Sequence, residues 1–182
     1  MAIVHKADLR PSKLELLSAW LPSQDWYTGT DEVDRVATFR LDDPAGEVGV
    51  ETFIVSSGDA LFHVPMTYRA APLAGGRLVG ELEHSVLGHR WVYDGPSDPV
   101  YVEVTTTAIT EAGHEVGMQF EDGTVLPPQE WSASVTGSGA ESPAGSLLIA
   151  RVVPTAAPAG APTLTATWHG CEEPTALAWL TD

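Results

Sequence analysis

The chain has 182 residues, 43% of them hydrophobic and 19% charged, with a formal charge of −16. That hydrophobic share suits one ordinary domain, or one domain with an added lobe, and excludes a disordered polyampholyte. A field of this sign repels phosphate backbones and anionic lipid, which excludes nucleic acid and a membrane surface as partners. No apolar run approaches the roughly 18 residues that span a bilayer, and residues 1–13 lack a signal-peptide core, so a cytoplasmic protein is expected.

Pro11 to Leu21 is the clearest local signal. Ser12 and Glu15 form a capping-box pattern, and Leu14, Leu17 and Leu21 recur at helical spacing before Pro22 stops the helix. Val33–Leu41, Val48–Val55 and Leu61–Arg69 read as strands separated by Asp42-Asp43-Pro44-Ala45-Gly46 and Ser57-Gly58-Asp59 turns, an antiparallel meander with the helix available to cover one face. Residues 70–80 read as a Gly/Ala/Pro-rich loop, and residues 81–88 as a short helical or irregular turn. Val100–Thr110 is rich in β-branched residues, yet Asp98-Pro99 ahead of it makes a good helix start, and the segment is assigned to helix.

From His114 the pattern turns to β. Val116–Phe120, Asp122-Gly123 and the residues from Thr124 read as a hairpin, with Trp131–Thr136 extending its second strand. Gly137–Ser146 reads as a linker or loop, and Leu147–Val153 and Leu164–Trp168 as two more strands. The lone Cys171 forms no internal disulfide, and its neighbours Glu172 and Glu173 do not favour a thiolate nucleophile. The expected fold class is α+β: an antiparallel sheet covered by a short N-terminal helix, with a β-rich C-terminal extension. The expected domains are 1–112 and an acidic lobe, 113–182.

Leu16–Gly29, LLSAWLPSQDWYTG, is similar to the opening of maltokinase N-terminal cap domains, where a short helix runs into a Trp-aromatic-x-Gly segment. The strand His63–Arg69 and the run Glu83–Gly95, followed by Asp98-Pro99-Val100, resemble short, free-standing cap-like proteins in order and spacing. The resemblance covers residues 3–112. It implies a helix-plus-antiparallel-sheet cap, an element that in maltokinases sits on the N-lobe while phosphoryl transfer belongs to the C-terminal lobe. Asp25 stands where the kinase caps usually have arginine, and a lysine that often follows the Trp-aromatic-x-Gly segment is missing. No Gly-rich phosphate loop, nucleotide-binding-strand lysine or catalytic-loop aspartate motif occurs in the sequence. Related short proteins are often labelled 1,4-α-glucan branching proteins, but that chemistry needs a full barrel with catalytic carboxylates, which 182 residues cannot hold.

The chemistry-bearing residues concentrate at His63, Tyr68, Arg69, Glu83, His84, Arg90, Trp91, Tyr93 and Asp94. Two readings of this polar cluster stand: a structural network with Arg69 or Arg90 paired to Glu83 or Asp94, or a ligand pocket faced by His84. The network is the preferred one, since a buried charge must be paired to offset its desolvation. His84 and His89, five residues apart, suit neither a helix face nor a strand, so no metal site is assigned. Trp20, Trp26, Tyr27, Trp91 and Tyr93 could stack on sugar rings, though large aromatics of small domains mainly build cores. No Ser-His-Asp order or Gly-x-Ser-x-Gly occurs. The function expected is a non-catalytic, cap-like interaction or regulatory module in α-glucan or sugar metabolism, without cofactor, docking on a protein partner or on itself. The alternative is a small-ligand or carbohydrate-binding module using residues 63–94.

Overall fold

A computed structural model describes residues 1–140 and 145–181. In chain order its elements are β1 (Ala2–Val4), β2 (Leu9–Arg10), α1 (Lys13–Trp20), β3 (Asp34–Leu41), β4 (Gly49–Ser57), β5 (Ala60–Arg69), β6 (Leu78–His84), β7 (Gly88–Asp94) and α2 (Pro99–Thr110). Then come β8 (Met118–Phe120), β9 (Val125–Leu126), β10 (Ser134–Gly137), β11 (Leu147–Ile149), β12 (Val152–Val153), β13 (Thr163–Trp168) and β14 (Cys171–Leu180).

Seven strands form the main sheet, in the order β2-β6-β7-β5-β4-β3, with β12 added on β5. All of its pairings are antiparallel. A second sheet runs β10-β13-β14-β11, and a third joins β1, β8 and β9, with β1 parallel to β8. Alternation along the strands sends side chains to both faces of the main sheet, and each face carries a hydrophobic cluster. One face carries Ala37, Phe39, Leu41, Val50 and Ile54 against Tyr101, Val104 and Ile109 of α2 and Val135, Leu164, Trp168 and Leu177 of the second sheet. The other carries Phe53, Val55, Phe62, Val64, Met66, Leu82 and Val92 against Leu16, Leu17, Trp20 and Leu21.

Both helices start on side-chain caps. Ser12 accepts from the Glu15 amide while Glu15 accepts from the Ser12 amide, closing the capping box ahead of α1. Asp98 accepts from the Val100 amide at 3.0 Å and Pro99 opens α2, so the cap overrides the β-branched content of residues 100–110.

The expected α+β class is overturned. Strand accounts for 44% and helix for 15%, so the protein is mostly β, with two helices and several sheets rather than one sheet capped by a short N-terminal helix. Three segments account for the difference. Residues 78–94, expected as loop and irregular turn, are the β6–β7 hairpin; Gly88, at φ +75°, permits its turn, and Leu82 and Val92 face the core. Trp131–Thr136 does not prolong β9, because β10 pairs with β13 in another sheet. Cys171–Leu180, where no strand was expected, is one of the two longest strands and buries Leu177, Ala178 and Leu180. Residues 141–144 of the expected Gly/Ser loop lie outside the described residues. Among the described residues no helix is long and apolar enough to cross a membrane.

Candidate functional site

The nine residues of the expected cluster separate into four environments. Asp94 and Asp98 form the structural part. Asp98, 0% exposed, receives Arg69 through Nε and Nη2 at 2.7 and 2.6 Å and the Thr67 hydroxyl at 2.7 Å. Burial works against its charge, but Arg69, Thr67 and the Val100 amide outweigh it and hold its pKa below the ordinary carboxylate value. Asp94, 1% exposed, takes Arg151 at 2.8 and 2.6 Å and Arg77 at 3.6 Å. Neither carboxylate meets Arg90, and Glu83 meets neither Arg69 nor Arg90. The pairings assigned from sequence are corrected accordingly: Arg69 takes Asp98, the cap of α2, and Asp94 takes Arg151 and, at longer range, Arg77.

His63 lies within the core. Its Nδ1 donates to the Ala150 carbonyl at 2.8 Å, its Nε2 has no partner, and burial drives its pKa down to about 3. Tyr93 is buried, and its hydroxyl oxygen accepts from the Leu73 amide at 2.8 Å. Glu83 and Trp91 belong to the exposed side of the hairpin. There His89 sits between Glu83 at 2.6 Å and Glu81 at 2.9 Å, edge-on to the Trp91 ring, and the Glu83 contact raises its pKa. Among the described residues no group of three or more His, Cys, Asp or Glu is arranged to hold a metal ion.

Tyr68, His84 and Arg90 are brought together, around a cavity of about 560 Å³. Its floor is the α1-side face of the main sheet, beyond the end of α1. Register builds that floor. Arg40 of β3 stands opposite Glu51 of β4, Tyr68 of β5 opposite Gly49, and Arg90 of β7 opposite Leu82 of β6. Lys13, the first residue of α1, closes one side, and its ammonium bonds Glu51 and lies 5.1 Å from the Tyr68 ring centre. The segment Met1–Leu9 forms another wall. It is tied in place by β1–β8 pairing, by the terminal ammonium on Asp42 at 3.1 Å and by His5 on Glu121 at 2.6 Å.

The electrostatics of this cavity are those of a cationic pocket in an acidic protein. Glu51 is buried, which opposes its charge, but Lys13 and Arg40 prevail and keep it ionised below the ordinary pKa. The Tyr68 hydroxyl is buried beside Glu51 without a hydrogen-bond partner in good geometry, and burial raises its pKa well above the ordinary value. His84 is held neutral by burial and by the charges of His5, Arg90 and Lys13; its Nδ1 accepts from the Val86 and Leu87 amides at 3.2 and 3.0 Å. Lys13, Arg40 and Glu51 were absent from the sequence-derived cluster. The available signal was a charged residue on each side of the Asp42–Gly46 turn, which hairpin register places opposite one another.

A mostly β chain with a cleft on a half-covered sheet face defines the class. Within it, residues 20–98 match the family model described as the maltokinase N-terminal cap domain, so this stretch is similar to that domain, as the resemblance implied. No curated protein and no solved structure matches the chain. The matched stretch supplies Arg40, Glu51, Tyr68, Leu82, His84 and Arg90 to the cavity, while Lys13 and the Met1–Leu9 wall precede it.

Proposed function

We propose that this chain is a non-catalytic, cap-like module of sugar or α-glucan metabolism that acts in the cytoplasm by binding a small ligand. The observation that carries the reading is the cavity, whose 560 Å³ falls in the range of small-molecule sites and whose wall mixes Val4, Leu9 and Leu82 with a few convergent polar groups. Its polar groups suit binding better than catalysis: the carboxylate is salt-bridged and the histidine is engaged by two backbone amides. Docking on a protein partner is the second reading, favoured by Val86 and Leu87, which stand 53% and 42% exposed at the β6–β7 turn. A thermal-shift screen with maltose, trehalose, glucosamine, their phosphates and ATP separates the two, since a ligand at 100 times its Kd stabilises by about 2.7 kcal/mol. Stabilisation by a member of the set, without ATP turnover or amylose branching, is the expected result. Turnover that scales with the purified protein overturns the non-catalytic reading, and a flat screen overturns ligand binding.

A further inference from the structure

We propose that the cavity holds a small phosphomonoester, its dianionic phosphate gripped by Arg40 and Arg90 with Lys13 beside them. This deepens the ligand-binding reading above and rests on it. The chain has only 9 Lys and Arg against 25 Asp and Glu, so partners for its cations are abundant. Five of the nine are partly buried: Lys13, Arg40, Arg69, Arg90 and Arg151. Arg69 and Arg151 are saturated by Asp98 and Asp94. The other three all line this one cavity.

Among the described residues, Arg40 and Arg90 form no ion pair and stack on no aromatic ring, and Arg90's one hydrogen bond is to the His89 carbonyl. Unpaired Arg35 and Lys6 differ, because they are exposed and rest on Trp131 and Phe120. Two guanidiniums half-removed from water, with planar donor forks left open, fit an oxyanion that supplies the missing acceptors.

Charge selects the dianion. Three cations face one buried carboxylate, Glu51, which leaves the floor two charges positive, while His84 is neutral. The acidic groups at the rim are otherwise engaged. Asp42 takes the terminal ammonium, Asp43 accepts three backbone amides of its own turn, and exposed Glu47 faces water. A monocarboxylate would leave one positive charge uncompensated, whereas a phosphomonoester, near two negative charges at neutral pH, matches. The overall charge of −16 keeps phosphate polymers away without opposing this, since surface carboxylates more than about 8 Å from the site are largely screened by salt at physiological ionic strength.

The test is calorimetric titration of the full chain, at fixed ionic strength, with three probes on one carbon skeleton (glycerol, glycerate and glycerol 3-phosphate) and with inorganic phosphate. Glycerol 3-phosphate should bind more tightly than glycerate, with inorganic phosphate detectable and glycerol silent. Arg40→Gln and Arg90→Gln should each weaken glycerol 3-phosphate by about tenfold or more, and Arg10→Gln, at an exposed site outside the cavity, should leave it unchanged. Equal binding of glycerate and the phosphate, phosphate binding that survives both substitutions, or phosphate affinities weaker than ~10 mM, overturn the proposal. If the thermal-shift screen succeeds with neutral sugars alone, the phosphate assignment falls and the ligand-binding reading stands; if no probe in either experiment binds, both fall. Should a variant not fold, amide NMR of the wild type with glycerol 3-phosphate decides: shifts at Lys13, Arg40, Tyr68 and Arg90 support the site, and shifts confined to other places refute it.

Discussion

Asp94 and Asp98 lie four residues apart and are both removed from water, yet they take different arginines. Sequence spacing showed that the region carried paired charges, but the partners are set by tertiary contacts. Arg151 arrives from 57 residues away, and Arg69 reaches the cap of α2. Asp94→Asn therefore leaves Arg151 without its counter-charge and should cost about 3–5 kcal/mol in urea unfolding. Arg90→Ala, which breaks no ion pair, should stay within about 0.5 kcal/mol. The reverse ranking would restore the network centred on Arg90 that the sequence suggested. His63 gives the pH dependence. Its folded pKa of about 3 lies below the unfolded value of 6.5, so between these values the unfolded chain binds the extra proton and stability falls as pH falls. The slope contributed is at most about 1.4 kcal/mol per pH unit. Asp98 and Glu51, also lowered, act with the same sign once pH falls below their ordinary values of 3.8 and 4.5, whereas His89, raised by Glu83, acts oppositely from an exposed position. His63→Gln should flatten the fall in melting temperature between pH 6.5 and 4; an unchanged slope would mean that another group titrates there.

Elements with a local cause were legible in the sequence. The capping box fixed the start of α1, and turns at residues 42–46 and 57–59 fixed the three-strand meander that became β3, β4 and β5. The β6–β7 hairpin was not legible, because its polar, histidine-rich strands lack strict alternation and earn their place by pairing with β5 and β2. β14 was missed for a related reason: Glu172, Glu173 and Pro174 obscure its start, and burial of Leu177 and Leu180 against the other sheet decides it. One glycine couples β10 to α2. A Cβ on Gly137 would sit 1.8 Å from the Ala108 carbonyl oxygen, so β10 runs directly against the end of α2. Gly137→Ala should lower stability by ~3 kcal/mol in denaturant unfolding. A loss below about 0.5 kcal/mol would show that α2 and β10 are not in this contact.

At the scale of the molecule, the main sheet separates two tasks. Its α2 face is sealed by a core that draws on residues from Ala37 to Leu180, on both sides of the boundary expected near residue 112. Its α1 face is sealed only as far as α1 reaches, and the remainder is the floor of the cavity. The long N-terminal wall was unreadable from sequence, because Met1–Leu9 has no periodicity and takes its position from β8 and from Asp42 and Glu121. The proposed ligand site is this uncovered floor. The most direct measurement is a crystal structure with the most stabilising compound of the thermal-shift screen. That compound should lie between Lys13, Arg40, Tyr68 and Arg90, its anionic group on the two guanidiniums. Density at the Val86–Leu87 turn or on the exposed face of α2, with the cavity holding only water, would contradict it.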